Sequence, residues 1–212
     1  MRVSYFAKWL PLGNRWLEWG TGRAPNHFRR ITFEELYEVP EKILIMRVAG
    51  SDLRSCYDTQ QLYTNHTSII AVPWRLLHGI RNNSLKKAAR YRSETPSRPD
   101  LPKREELEVT SRRFALKYLL GVMNSASARD FLRANRRSNT DLYPDDWKKL
   151  PIPDALPDQQ QPIVALVDRI LTAKKHSPSA DTTLWEREID ERVYRLYGLT
   201  PEEIQIAEES VK

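Results

Sequence analysis

The side chains best placed to do chemistry in this sequence are cationic. Arg129, Arg133, Arg136 and Arg137 recur at i, i+4, i+7 and i+8, within one broad face of a predicted helix. A face of guanidinium groups binds phosphate, because each fork aims paired N–H donors at two oxygens at once. Arg81, Lys86, Lys87 and Arg90 form a second cationic stretch suited to the same contacts. Phosphate contacts fix the register of a nucleic acid, whereas its sequence is read by polar groups that reach base edges. Tyr63, Asn65 and His66 stand at the entrance to a predicted strand and could reach a groove. Asn135, Asn139 and Tyr143, at the end of the Arg-rich helix and in the loop after it, form a second candidate reading edge, although an ordinary surface loop is the more usual role for such residues. Arg47 is the oddest cation, since it interrupts an apolar strand. A salt bridge or a snorkelling stem is the ordinary role there. For Asn65 a turn or strand cap is as ordinary as a base contact.

The charge is unevenly spread. The chain carries 34 Lys+Arg against 28 Asp+Glu, a net charge of +6. Residues 75–137 hold 16 basic and 6 acidic groups, net +10, whereas residues 138–212 hold 9 basic and 15 acidic groups, net −6. A basic middle opposed by an acidic tail points to a polyanionic partner for the middle. Arginine supplies 23 of the cations, which suits forked contacts to phosphate and guanine.

Catalytic patterns are weaker. Glu18-Trp19-Gly20-Thr21-Gly22 has the acidic-x-Gly-x-Gly form of a methyl-donor turn. However, Asn14-Arg15 interrupts the strand it needs, and Arg23-Ala24-Pro25-Asn26 stands where its helix should start. No Asn precedes a Pro, so the adenine-methylation tetrapeptide is missing. Pro99-Asp100 with Glu105-Glu106 reads as a charged loop, and Pro144-Asp145-Asp146 with Lys148 as a turn capping a short helix, rather than as nuclease carboxylates. His27, His66, His78 and His176 are scattered, and no pair has metal-ligand spacing on a helix. There is no Gly-x-Ser-x-Gly elbow. Cys56 falls in a strand, where a core role is expected over a nucleophile. No catalytic residue, metal or cofactor is assigned to this chain.

These side chains need a scaffold, and the sequence describes an α+β one: a strand-bearing N-terminal half forming a small sheet, followed by a helical C-terminal half. Residues 1–40 read as aromatic and loop-like, with Trp9, Trp16 and Trp19 more suited to a core than to stacking on bases. Strands are predicted over 42–48, 53–57 and 67–72, the last stopped by Pro73. A short basic helix is expected over 84–92 and an exposed loop with Pro96, Pro99 and Pro102 over 93–103. Helices are predicted over 112–123, 125–137 and 159–175, the last capped by Asp158. Another starts at Thr182 or Thr183, carries Leu184, Ile189, Val193 and Leu196 inward, and stops at Gly198. Thr200-Pro201-Glu202-Glu203 opens a final helix. The expected organisation is a recognition domain over 1–157 and a helical extension over 158–212. No apolar run is long enough to cross a membrane and no signal-peptide core opens the chain, so a cytoplasmic protein is expected. One cysteine excludes a disulfide framework.

Two stretches carry a family resemblance. The first is Glu41-Lys-Ile-Leu-Ile-Met-Arg47-Val-Ala-Gly50, then Tyr57-Asp58, then Leu62-Tyr63-Thr-Asn65-His66 and the strand after it. The second is Leu116-Lys-Tyr-Leu-Leu-Gly-Val-Met-Asn124, then Asp146-Trp147-Lys-Lys-Leu-Pro151-Ile-Pro153, then Gln159-Gln-Gln-Pro-Ile163. Together they resemble the target-recognition domain of TaqI-like adenine-specific DNA methyltransferases and their fused restriction enzymes. The Leu-Pro-x-Pro and Gln-Gln elements are also similar to type I specificity subunits. Residues 184–200 resemble the helix that closes such chains.

The resemblance implies a specificity module for double-stranded DNA, acting in restriction-modification or related phage defence. It also implies a separate methyltransferase catalytic domain or subunit, which would hold the S-adenosylmethionine. The alternative is a regulatory subunit that binds a protein partner through the apolar stripes of its C-terminal helices.

Overall fold

The computed structural model describes residues 2–6, 8–16, 34–47, 54–64, 67–81, 102–138 and 140–209. The chain is α+β. Among the described residues, five strands precede seven α-helices. Strands β3 (Lys42–Met46), β4 (Ser55–Asp58) and β5 (Ser68–Ala71) form an antiparallel sheet in the order β4-β3-β5. Ile43 faces Tyr57 and Ala71 across the ladders, and Ile45 faces Ser55 and Ile69.

Because side chains alternate along a strand, β3 supplies two cores. Ile43 and Ile45 point into the main core with the helices, while Leu44 packs with Cys56, Leu62 and Ile70 on the opposite face. The central strand is so enclosed that Lys42 is itself buried. Its ammonium is compensated by Asp58 at 2.6 Å and by the Tyr37 carbonyl at 2.7 Å.

An earlier hairpin, β1 (Arg2–Phe6) and β2 (Pro11–Trp16), forms a separate two-stranded sheet. This corrects the loop expected over the region. Gly13, Asn14 and Arg15 break the apolar alternation, and pairing between the two strands supplies the order instead. Trp9 joins the hairpin to the larger sheet. Its backbone bridges Cys56 in parallel, its N–H donates to the Ser55 carbonyl, and its carbonyl accepts from Tyr57. This fit places a buried Trp at φ 77°, a left-handed conformation costly for a bulky residue.

The helices are α1 (Arg104–Arg112), α2 (Leu116–Met123), α3 (Ala126–Asn135), α4 (Pro144–Trp147), α5 (Pro157–His176), α6 (Thr183–Tyr197) and α7 (Pro201–Glu209). Helix α2 is central. Leu116, Tyr118, Leu120 and Val122 are buried, and a Cβ at Gly121 would stand 2.7 Å from Ile163, so glycine is what lets α5 approach. Ile163, Leu166, Val167 and Ile170 of α5, with Ile189 and Val193 of α6, complete one core with Ile43 and Ile45 of the sheet.

Several boundaries differ from expectation. Helix α1 occupies residues expected to be loop or unassigned. It forms because Glu105 and Glu106 favour its first turn and Arg104 pairs with Glu108 one turn on, while Arg104 also holds the carbonyls of Leu77 and Ile80. The predicted helix over 112–123 is broken at Arg113–Ala115, so α2 starts at Leu116. Helix α5 starts at Pro157, and Asp158 lies in its first turn rather than at its cap. Leu184 is exposed, because α6 packs on the core through Trp185, Ile189 and Val193. Gly198 at φ 66° ends α6 as expected, and Thr200 and Glu203 form the expected reciprocal cap of α7. The predicted helix over 84–92 lies outside the described residues. Among them, no helix is long and apolar enough to cross a membrane.

Candidate nucleic-acid interface

The site is assembled where the end of β3 meets the end of α3. Helix α3 begins at Ser125, whose hydroxyl accepts from the Ala128 N–H. It ends at Asn135, and Arg136 is already extended, at φ −70° and ψ 147°. Arg136 and Arg137 therefore do not continue the helical face of Arg129 and Arg133, which corrects the four-arginine stripe expected from the spacing. The chain must turn here because Leu142 is buried against Leu132, and its N–H donates to the Arg47 carbonyl at 2.9 Å. A helix running on past Asn135 could not return in time to make either contact.

That return draws Arg47, Arg137 and Tyr143 together. The Arg47 guanidinium lies 4.8 Å from the centre of the Tyr143 ring and that of Arg137 lies 5.4 Å from it. Both distances suit cation–π attraction. Arg47 also pairs with Asp141 at 3.3 Å. The salt bridge expected of an Arg in an apolar strand is thus present, with the ring contact added.

The loop is fixed from below by Asp146, which is 1% exposed. One carboxylate oxygen accepts from the Tyr143 N–H at 2.9 Å and the other from Arg137 Nε at 3.2 Å. With both oxygens engaged, Asp146 positions its neighbours and is not arranged as a metal ligand or general base. Asp145 lies further out, 3.1 Å from Lys148 and 3.8 Å from Arg137. Arg137, Asp145, Lys148 and Lys149 line an open depression of about 460 Å³. Asp145, Asp146 and Lys148 enter the sequence reasoning only as a turn capping a short helix, and Lys149 does not enter it. A signal for Asp146 exists, since an Asp three residues after Tyr143 with Pro144 between them is a helix-start pattern.

The remaining candidates are dispersed. Arg129 turns toward α6, where its charge acts on Asp190. Arg133 and Arg136 lie near the end of α3, and Asn135 donates to the Phe131 carbonyl. Arg81 is exposed beside Ile80, close to the start of α1. The Tyr63 ring stacks on Tyr37 at 4.3 Å, and its hydroxyl meets Glu38 at 3.5 Å. Burial, then Glu38 and Glu34, push the Tyr63 phenol up to about 12, an acidic setting that contrasts with that of Arg47. Asn65, His66, Lys86, Lys87, Arg90 and Asn139 lie outside the described residues, as does the Glu18–Gly22 turn.

Cys56 is fully buried, and burial raises its thiol far above the ordinary range, so it is not poised as a nucleophile. Among the described residues, no three His, Cys, Asp or Glu side chains gather as a metal site. No protein-family model, curated protein or solved structure matches the chain.

Proposed function

We propose that this chain is a recognition module for double-stranded DNA that serves an adenine-specific methyltransferase, in restriction-modification or related phage defence. Catalysis and the S-adenosylmethionine belong, on this reading, to a separate catalytic domain or subunit. The observation that carries the DNA-binding part is the convergence of Arg47 and Arg137 on Tyr143, with Lys148 and Lys149 joining Arg137 in the adjoining depression, on a loop whose backbone is held by Leu142 and Asp146. Rigid forked donors at the surface fit phosphodiester oxygens, and the tyrosine adds a flat face and a hydroxyl for sugar or base edges. The methyltransferase assignment rests on the sequence resemblance. A partner-binding role for the C-terminal stripes is less favoured, because Ile163, Val167, Ile189 and Val193 face the core.

The test is a duplex titration across salt concentrations. Arg137→Ala with Lys149→Ala is expected to weaken binding to all duplex sequences and to flatten the salt dependence by about two counterions. A selection of duplexes from a random pool should return one short preferred sequence. Unchanged affinity and slope in the double variant would remove this loop from the interface, and a pool with no enriched sequence would remove the recognition role.

A further inference from the structure

The two adjacent carboxylates of α4 are placed for different tasks. Asp146 is buried, and its oxygens hold the Tyr143 backbone and Arg137 Nε. The Asp145 side chain is 37% exposed and faces two cations, Lys148 at 3.1 Å and Arg137 at 3.8 Å, in the depression that Lys149 also lines. A carboxylate and a phosphodiester each present two oxygens sharing one negative charge, and arginine forks match either. Phosphate is the natural competitor for this position, since Arg137 and Lys148 are 54% and 48% exposed on its open side.

Resting on the DNA-binding reading of this site, we propose that Asp145 is a built-in surrogate for a DNA backbone phosphate. In the free protein its carboxylate fills the anion position between Arg137 and Lys148, and a phosphodiester of the bound duplex takes its place. The device has two effects. It keeps the cations pre-arranged with their charge balanced, so the loop does not repel itself. It also lowers the general attraction for polyanions, so that a bound duplex must offer more than charge to displace the carboxylate. Asp145 thus acts against binding, whereas Asp146, one residue on, acts for it.

That opposition gives the experiment. Asp145→Asn and Asp146→Asn are compared with the unaltered protein by fluorescence anisotropy on a labelled DNA duplex, from about 50 to 200 mM salt, the range over which counterion release is read. Asp145→Asn is expected to bind roughly 3- to 10-fold more tightly at low salt and to steepen the salt slope by about one counterion, because one negative charge no longer offsets the cations that meet phosphate. Asp146→Asn is expected to bind more weakly. Thermal unfolding of Asp145→Asn should match that of the unaltered protein, since this carboxylate is at the surface. An affinity that is unchanged or lower in Asp145→Asn, with the unaltered protein binding duplex well, overturns the surrogate role and leaves the DNA reading standing. No duplex binding by the unaltered protein at the lowest salt overturns both.

Discussion

Helix α3 is handled differently at its two ends. At its start, Ser125 accepts from the Ala128 N–H, Asp190 of α6 accepts from the Ala126 N–H at 2.8 Å, and Asn124 just before it closes a pair of 3.0 Å hydrogen bonds on the Ser55 backbone. These contacts are buried or half-buried, and those of Asp190 and Asn124 span elements far apart in sequence. At its end, Arg137, Asp145 and Lys148 make short-range ion pairs open to solvent. Polar contacts at the start compensate backbone groups that have lost water, so breaking one leaves an uncompensated partner. Those at the end sit in high dielectric and add little to stability. They leave cations in position, held by a carboxylate that a phosphate can displace. Arg129 belongs with the start of the helix, where its charge acts on Asp190 of α6.

The sharpest way to break this contrast is at Asn124. Asn124→Ala removes an amide that both donates to and accepts from Ser55, leaving the buried Ser55 N–H of β4 unpaired and its carbonyl with the Trp9 N–H alone. The expected loss is about 3 kcal/mol in urea unfolding, from one orphaned backbone N–H and one further lost hydrogen bond. A loss below about 1 kcal/mol would show that water replaces the side chain and that the start of α3 is no more committed than its end.

Asp190 comes next. Burial pushes its carboxyl up from the ordinary 3.8 to about 6, against the Ala126 N–H and the charges of Lys8 and Arg129, and Glu186 adds to the rise. The native protein therefore keeps a proton that the unfolded chain releases. This contribution to stability is complete below about pH 4 and is lost as pH rises through about 6. Asp190→Asn keeps an acceptor for Ala126 and removes the charge, so it should flatten that fall and raise stability at pH 7 by roughly 2 kcal/mol. Urea midpoints from pH 4 to pH 7 check it, and parallel profiles for the two proteins would locate the pH dependence elsewhere.

Much of the scaffold is legible in the sequence, because its signals are local. Ile43-Leu44-Ile45 can only be a buried strand in a chain this polar, Gly198 can end α6 by taking a positive φ, and Thr200-Pro201 can only begin a helix. The hairpin and α1 are not legible, because their order comes from elsewhere in the molecule. Trp9 is fixed by Ser55, Tyr57 and Glu186, and Arg104 by carbonyls of the preceding turn. The candidate site is half legible. Arg47, Arg137 and Tyr143 all stand out by residue type, but as members of three separate groups. The contact that unites them, Leu142 to the Arg47 carbonyl, is a long-range backbone bond that leaves no trace in residue spacing. Helical periodicity wrongly places Arg137 on α3, since it cannot register the burial of Leu142 that turns the chain away.

The smallest effect on stability is expected at Lys148, and it tests the exposed end directly. Lys148 is half-exposed and pairs with Asp145 three residues earlier, so Lys148→Ala should change unfolding free energy by less than about 0.5 kcal/mol. The same substitution removes one of the cations lining the depression, so duplex affinity should fall at low salt and the salt slope should flatten by about one counterion. The two measurements separate the regions more cleanly than either alone. At Asn124 stability falls, and binding changes only as far as the folded fraction does. At Lys148 binding falls while stability holds. A Lys148→Ala protein that unfolds markedly more easily would mean that the surface ion pairs brace the loop, and the two ends of α3 would then differ in exposure but not in task.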